Sequence, residues 1–381
     1  MKSDLFPLLA DINFANKAPE EIENAIISQY EQLSGRTLAR GDPVRLFLET
    51  IILVIIHQRA LIDNAAKMNL LAYATGDFLD HLGALLGVTR LEASSAYTTL
   101  EFTLSEAQDA AVLIPVGTRA TTDGTLLFAT TEASEIEAGN TCATVTARCT
   151  TAGEIGNGFI AGQIKKLVDP FVYEMSVRNI TASYGGADIE NDENFRERIQ
   201  LAPESFSVAG PKGAYEYYAR SAHSDIIDVA VIGPAESEAV PPGNVYLYPL
   251  MTGGVLPSQE ILDAVFETCN AKDTRPDTDY LHVKTPEVVN YNISVIYWID
   301  RKRATQAAQI QTAVKNALDD FVLWQKSKLG RDINPSELNY RLIAAGAKRT
   351  LITEPVFKAL EAWEVAQEND VAAYFGGLED G

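Results

Sequence analysis

Four histidines are the residues best suited to acid–base or metal chemistry in this chain: His57, His81, His223 and His282. None lies three or four residues from another. No H-E-x-x-H, paired-cysteine or calcium-loop pattern supplements them, so their spacing predicts no metal site. His57 and His81 fall in apolar helical patterns and read as ordinary helix residues. His223 ends a helix, where an imidazolium suits the negative pole of the helix dipole. The three cysteines, Cys142, Cys149 and Cys269, cannot all pair. Reduced thiols in a cytoplasmic assembly compartment are the simplest reading. Cys142 and Cys149 are the two that neighbouring strands would bring together; free buried thiols are the expectation.

Nucleotide and nucleophile patterns are missing. No Gly-Lys-Ser/Thr occurs, Gly153–Gly158 lacks dinucleotide spacing, and no G-x-S-x-G elbow is present. Carboxylates are plentiful enough for a glycosidase pair, yet no segment singles two out. No catalytic set, cofactor or metal is therefore expected. The run Arg275-Pro-Asp-Thr-Asp279 has two readings. Arg275 suits a bidentate carboxylate pair while Asp277 and Asp279 cap a turn. It is then either an intersubunit contact or an internal pin between a helix over 258–271 and the next strand.

These residues must be positioned by elements legible in the pattern. Apolar positions at helical spacing predict a helix over 19–34. A second follows the Asp42-Pro43 start signal and runs to about Tyr73, with an interruption near His57–Arg59. Its expected buried stripe is Leu46, Phe47, Ile51, Val54, Ile55, Leu61 and Ile62. A third starts at Thr75 or Asp77, turns Leu79, Leu82, Leu85 and Leu86 to a core, and stops at Gly87. From Tyr97 to about Tyr184, short alternating Thr/Val/Ala segments between turn signals predict a compact β-sandwich or barrel. Beyond it, strands are expected at 226–232, 245–251, 280–284 and 288–299, and helices at 258–271, 304–328 and 335–346.

The fold class is thus α+β multidomain: a helical region over 1–95, a β-sandwich-like domain over 96–185, a helical connector over 186–224, an α+β domain with an antiparallel sheet over 225–350, and an acidic C-terminal arm over 351–381. That arm is either a solvated tail or docks on a neighbour through Trp363, Tyr374 and Phe375. Gly185 and Gly186 look like a hinge out of the β domain. Gly210, Pro211 and Gly213 form a second joint, feeding a helix with Tyr215, Tyr217 and Tyr218, the candidates for packing across it. The helix over 304–328 carries the stripe Val314, Leu318, Phe321, Val322 and Trp324.

Net charge is -21, from 52 acidic against 31 basic residues. That disfavours nucleic acid and anionic membrane as partners. It suits solubility or a basic partner subunit. The N-terminal residues lack a secretory signal pattern. The longest apolar run, Ile51–Ile56, is far short of the roughly 20 residues a membrane span needs.

Several segments together resemble the baseplate J-like family, the wedge proteins of contractile phage tails and phage-like tailocins. They are Gly76–Arg90 (GDFLDHLGALLGVTR), Ile114–Arg119 (IPVGTR) with Leu127–Thr130 (LFAT), Ala202–Asp228, and Arg275–Asp279. The resemblance runs from about Asp42 to about Ile299 and departs at Asp277, where the family usually carries an apolar residue. It implies a structural subunit of the tail baseplate, in a virion or tailocin particle assembled in the bacterial cytoplasm. It also implies a sixfold ring around the hub that rearranges to trigger contraction. The implied partners are a second copy of the chain, a smaller tail-protein I-like wedge partner sharing a helical bundle, and hub, sheath-initiating and fibre-attachment proteins. Interface or hinge candidates are Gly185, Gly186, Gly210, Pro211, Gly213, Tyr215, Tyr218, Arg275, Asp279, Trp324 and Trp363. Two other classes remain open: a baseplate-associated cell-wall or polysaccharide hydrolase, and a receptor-binding module built on 97–184.

Overall fold

The computed structural model describes residues 2–3, 5–206, 211–271 and 274–380. It divides into two compact units, residues 1–90 with 191–200, and residues 91–190 with 201–381.

The first unit is helical. Helix α1 (Pro19–Ser34) ends on Gly35, whose φ of 66° and N–H to Glu31 O give the left-handed C-cap that glycine adopts without strain. Helix α2 (Pro43–Lys67) starts as the sequence predicts: Asp42 Oδ1 accepts the Val44 N–H at 2.9 Å. It runs unbroken through His57–Arg59. Arg45 staples the pair, reaching Glu23 on α1 at 2.7 Å and Glu49 at 2.8 Å. Helix α3 (Asp77–Ala84) buries Leu79 completely but leaves Leu85 80% exposed, so only part of its expected core face is covered. Helix α4 (Asp192–Leu201) returns to this unit and lays Phe195 against Gly83. A Cβ at Gly83 would stand 2.6 Å from Phe195 Cζ, so only glycine permits that approach. Arg196, 2% exposed, donates from Nε to Leu71 O (2.8 Å) and from Nη2 to Ala74 O (2.6 Å), satisfying carbonyls of the α2–α3 turn.

In the second unit, strands β1 (Tyr97–Leu104), β3 (Arg119–Thr121), β4 (Leu127–Thr130), β6 (Cys142–Cys149), β7 (Lys166–Leu167) and β8 (Met175–Asn179) form one antiparallel sheet, ordered β7-β3-β4-β6-β1-β8. The small pair β2 (Val112–Ile114) and β5 (Ser134–Ile136) stands beside it. The domain is a single sheet curled toward a barrel, not two stacked sheets. Beside its edge strands, Ile164 N donates to Asn179 Oδ1 (2.8 Å) and Asn179 N to Ile164 O (3.0 Å), drawing the rims together. Leu100, Phe102, Ile114, Phe128 and Ile164 fill the interior.

Cys142 and Cys149 lie at the two ends of one strand, roughly 23 Å apart at strand rise. That excludes a bridge between them. Cys142 is exposed, contrary to the buried-thiol reading; Cys149 and Cys269 are buried.

The α+β region holds two three-stranded sheets, each mixed, where one antiparallel sheet was expected. In the first, α5 (Lys212–Ser221), β9 (Ile226–Ile232), β10 (Asn244–Met251), α6 (Gln259–Cys269) and β11 (Tyr280–Val283) give the order β11-β10-β9. Strands β9 and β10 are antiparallel; β10 and β11 are parallel. Helix α6 makes the crossover that a parallel neighbour requires. The second comprises β12 (Glu287–Asp300), α7 (Ala307–Lys326), α8 (Pro335–Ala344), β13 (Arg349–Glu354) and β14 (Glu364–Glu379), ordered β13-β12-β14. The alternating residues Val289 to Ile299 of β12 pack on Ile310, Val314, Leu318 and Phe321 of α7.

Residues 364–379 are therefore a strand parallel to β12 and not a solvated tail. Their acids are neutralised in place: Glu368 by Lys326, Glu379 by Arg349 and Asp380 by Arg301, each at 2.8 Å. Phe375 packs on Tyr297, with centroids 5.7 Å apart.

Candidate assembly surface

Helix α2 is apolar on two faces. One face, with Ile52 buried and Leu48, Ile55 and Ile56 partly so, packs on Ile22, Ile26 and Ile27 of α1. The other carries Leu46, Phe47, Ile51, Leu53, Val54, Leu61 and Ile62, all exposed, with Phe47 at 64% and Leu53 at 67%. The stripe expected to be buried is thus bare at all its positions except Ile55. The reason is geometric. Apolar residues surround most of the helix, while α1 and the segment 13–17, bonded to Arg59 and Asp63, shield only part of it.

Within the bare face, Phe47, Ile51, Val54, Gln58, Leu61 and Ala65 recur at alternating spacings of four and three. That is the seam spacing by which one helix receives another. Isolated exposed apolar residues are ordinary, but a continuous stripe along a 25-residue helix marks an interaction surface. Among the described residues no helix is long and apolar enough to cross a membrane, and no group of three or more His, Cys, Asp or Glu is placed to hold a metal ion.

The remaining candidates scatter through the second unit. Gly185 (φ 80°) and Gly186 form a fixed corner. Ser94 and Tyr97 pair with Ala187 and Tyr184, Ser94 Oγ donates to Gly185 O at 3.0 Å, and the Asn157 side chain clamps Gly186 through both its N–H (2.9 Å) and its O (2.6 Å). A Cβ on Gly186 would fall 2.4 Å from Gly153 O.

Gly210 lies outside the described residues. Pro211 is the extended N-cap of α5. A Cβ on Gly213 would stand 2.7 Å from Glu204 Cγ, so glycine lets the preceding turn lie against the helix. Tyr215 is 2% exposed in the core of the first module, packed with Ile226, Val229 and Val265 and not across a joint. Its hydroxyl donates to Asp279 Oδ2 at 2.8 Å, and Arg275 Nη1 donates to Asp279 O at 2.7 Å. Tyr215, Arg275 and Asp279 therefore meet inside the chain. Tyr218 donates to Ser205 O at 3.1 Å.

Trp324 is stacked by two guanidiniums, Arg331 at 4.0 Å and Arg341 at 4.9 Å from its ring. Trp363 stacks on Tyr248, centroids 6.2 Å apart, where the two α+β sheets meet around Leu250, Leu329 and Val365.

His223 differs from its expected role. Its Nδ1 accepts the Asp225 N–H at 3.2 Å, and burial pushes the imidazole pKa down. Burial thus disfavours the cation that the helix-dipole role calls for.

Four family models match consecutive segments: the baseplate J-like N-terminal domain at 41–96, the baseplate J-like protein barrel domain at 99–186, the central domain at 207–285 and the C-terminal domain at 291–373. The chain is 31% identical over 170 residues to baseplate protein J of Escherichia phage P2, covering 45% of this chain and 54% of that protein. It is 31% identical over 148 residues to the uncharacterized protein YqbT of Bacillus subtilis strain 168, covering 38% of this chain and 37% of that one. The matches thus span about half or less of those relatives. A chain of the cryo-EM structure of the anti-feeding prophage baseplate, sixfold symmetrised, is similar at 13% identity and a TM-score of 0.43, over 92% of this chain and 90% of that chain. With four domain models in order along residues 41–373, the chain belongs to the baseplate J-like family.

Proposed function

We propose that this chain is a structural wedge subunit of a contractile-tail baseplate, assembling into the ring around the hub through the bare face of α2. The exposed seam Phe47–Leu61 carries this reading, because an apolar helical stripe of that length needs a covering helix. Family membership and the likeness to phage P2 baseplate protein J support the setting. The covering helices come from a second copy and from a smaller tail-protein I-like partner, and the role is mechanical, not catalytic. Other baseplate proteins link the ring to hub, sheath and fibres. Its rearrangement on contraction needs two packings of the same interfaces that differ by a few kcal/mol.

Co-expression with the neighbouring tail proteins, followed by native mass measurement, tests this. A hetero-oligomer containing two copies of this chain is expected. The double variant Phe47→Glu, Val54→Glu should stay monomeric at unchanged helix content. A wild-type chain that remains a monomer with every tail protein supplied, or a double variant that assembles normally, overturns the reading.

A further inference from the structure

The barrel and the first α+β module meet along a cleft of about 480 Å³, lined by Glu154, Asn157 and Tyr184 on one side and His223, Asp225 and Ser258 on the other. Few hydrogen bonds bridge the two sides. Tyr184 donates to Glu260 Oε1 at 2.6 Å, and Ser224 Oγ donates to Asp188 O at 3.1 Å. His223 Nε2 lies 3.2 Å from Ser94 Oγ. Because Nδ1 accepts a backbone N–H and Ser94 gives its own proton to Gly185 O, the neutral imidazole carries its proton on Nε2 and donates to Ser94.

Against this neutral network stands a cluster of like charges. Asp225 and Glu154 line the same cleft, Asp188 accepts the Glu154 N–H at 3.1 Å, and Asp225 feels the fields of both carboxylates. Glu260, beside the cleft, is engaged by Tyr184. Among the described residues the lining contains no lysine or arginine to offset them.

We propose that this joint is pH-responsive: loss of the Asp225 proton, opposite Glu154 and Asp188, loosens the barrel's hold on the module. Burial first, then the fields of Glu154 and Asp188, raise the Asp225 carboxyl from 3.8 to about 6. A raised acid favours the closed joint while protonated. Its contribution is complete below about pH 3.8 and is lost as pH rises through about 6. His223 opposes this. Its depressed pKa favours the closed joint above its ordinary 6.5, and that contribution fades as pH falls. The Asp225 contribution is the one lost around pH 6, and comparison with Asp225→Asn separates it from that of His223. The mechanism concerns the intact chain alone and holds whatever covers α2.

Hydrogen exchange on the intact chain, corrected for intrinsic rates, reads this directly at about pH 5 and about pH 7.5. Protection across 223–226 and at Thr252, whose N–H bonds Asp225 O, is the signal. In the wild type, protection there should fall on the order of tenfold between the two conditions, a figure reduced for the partial solvation of Asp225. Asp225→Asn should abolish most of that fall, and Glu154→Gln should lessen it. His223 is common to all three proteins, so their differences isolate the carboxylate cluster. A wild-type profile flat in pH overturns the proposal, as does an unchanged fall in either variant. If Asp225→Asn does not fold, Glu154→Gln decides alone.

Discussion

Arg196 is the side chain whose removal costs most for its size. It is buried and its guanidinium donates to two carbonyls, Leu71 O and Ala74 O. Arg196→Met should destabilise the helical unit by about 3 kcal/mol, since each orphaned buried carbonyl costs about 1–3 kcal/mol. Chemical denaturation followed by circular dichroism measures this. Two changes do the same in the second unit. Tyr215→Phe strips Asp279 of a donor and should cost about 1 kcal/mol. Gly186→Ala drives a methyl against Gly153 O and should cost about 1–3 kcal/mol. Both are read as a lower thermal midpoint. None of these roles is visible locally. Arg196 sits among Glu193, Arg198 and Glu197, a pattern that reads as a solvated helix face until the turn it reaches across is known.

At the scale of elements, starts and stops were written in the sequence. Asp42-Pro43 opens α2, Gly35 closes α1, and α5 to α8 and β9 to β12 lie within a few residues of where periodicity places them. What periodicity leaves open is the neighbour of each apolar stripe. Helix α7 covers β12 within the chain, whereas the outer apolar face of α2 is exposed among the described residues. The prediction at this scale is asymmetric. Glu at Val314 should unfold the last module, because Val314 is 1% exposed. Glu at Phe47 should leave the melting transition of the chain alone unchanged, and abolish association with its helical partner. Strand β14 was hidden for a related reason: its acids read as a solvated arm because Lys326, Arg349 and Arg301, which pair with Glu368, Glu379 and Asp380, are 30 to 79 residues away in sequence.

For the molecule as a whole, two compact units predict two calorimetric transitions, provided each is cooperative by itself. Arg196→Met should shift one and Gly186→Ala the other; a shift of both by either change contradicts the division. The sequence by itself determined the helical start, the all-β middle and the α+β character of the last part, the boundaries of α6 to α8 and β9 to β12, and the family resemblance, because helix and strand periods, caps and turn residues are local properties of the chain. Only the tertiary structure decided which stripes are covered, that the sheets are mixed, that Gly186 is bonded to the Asn157 side chain, that His223 is buried beside Ser94, and that Glu154 and Asp225 line one cleft. Each of those depends on groups far apart in sequence, and neither spacing nor composition carries the distance between them.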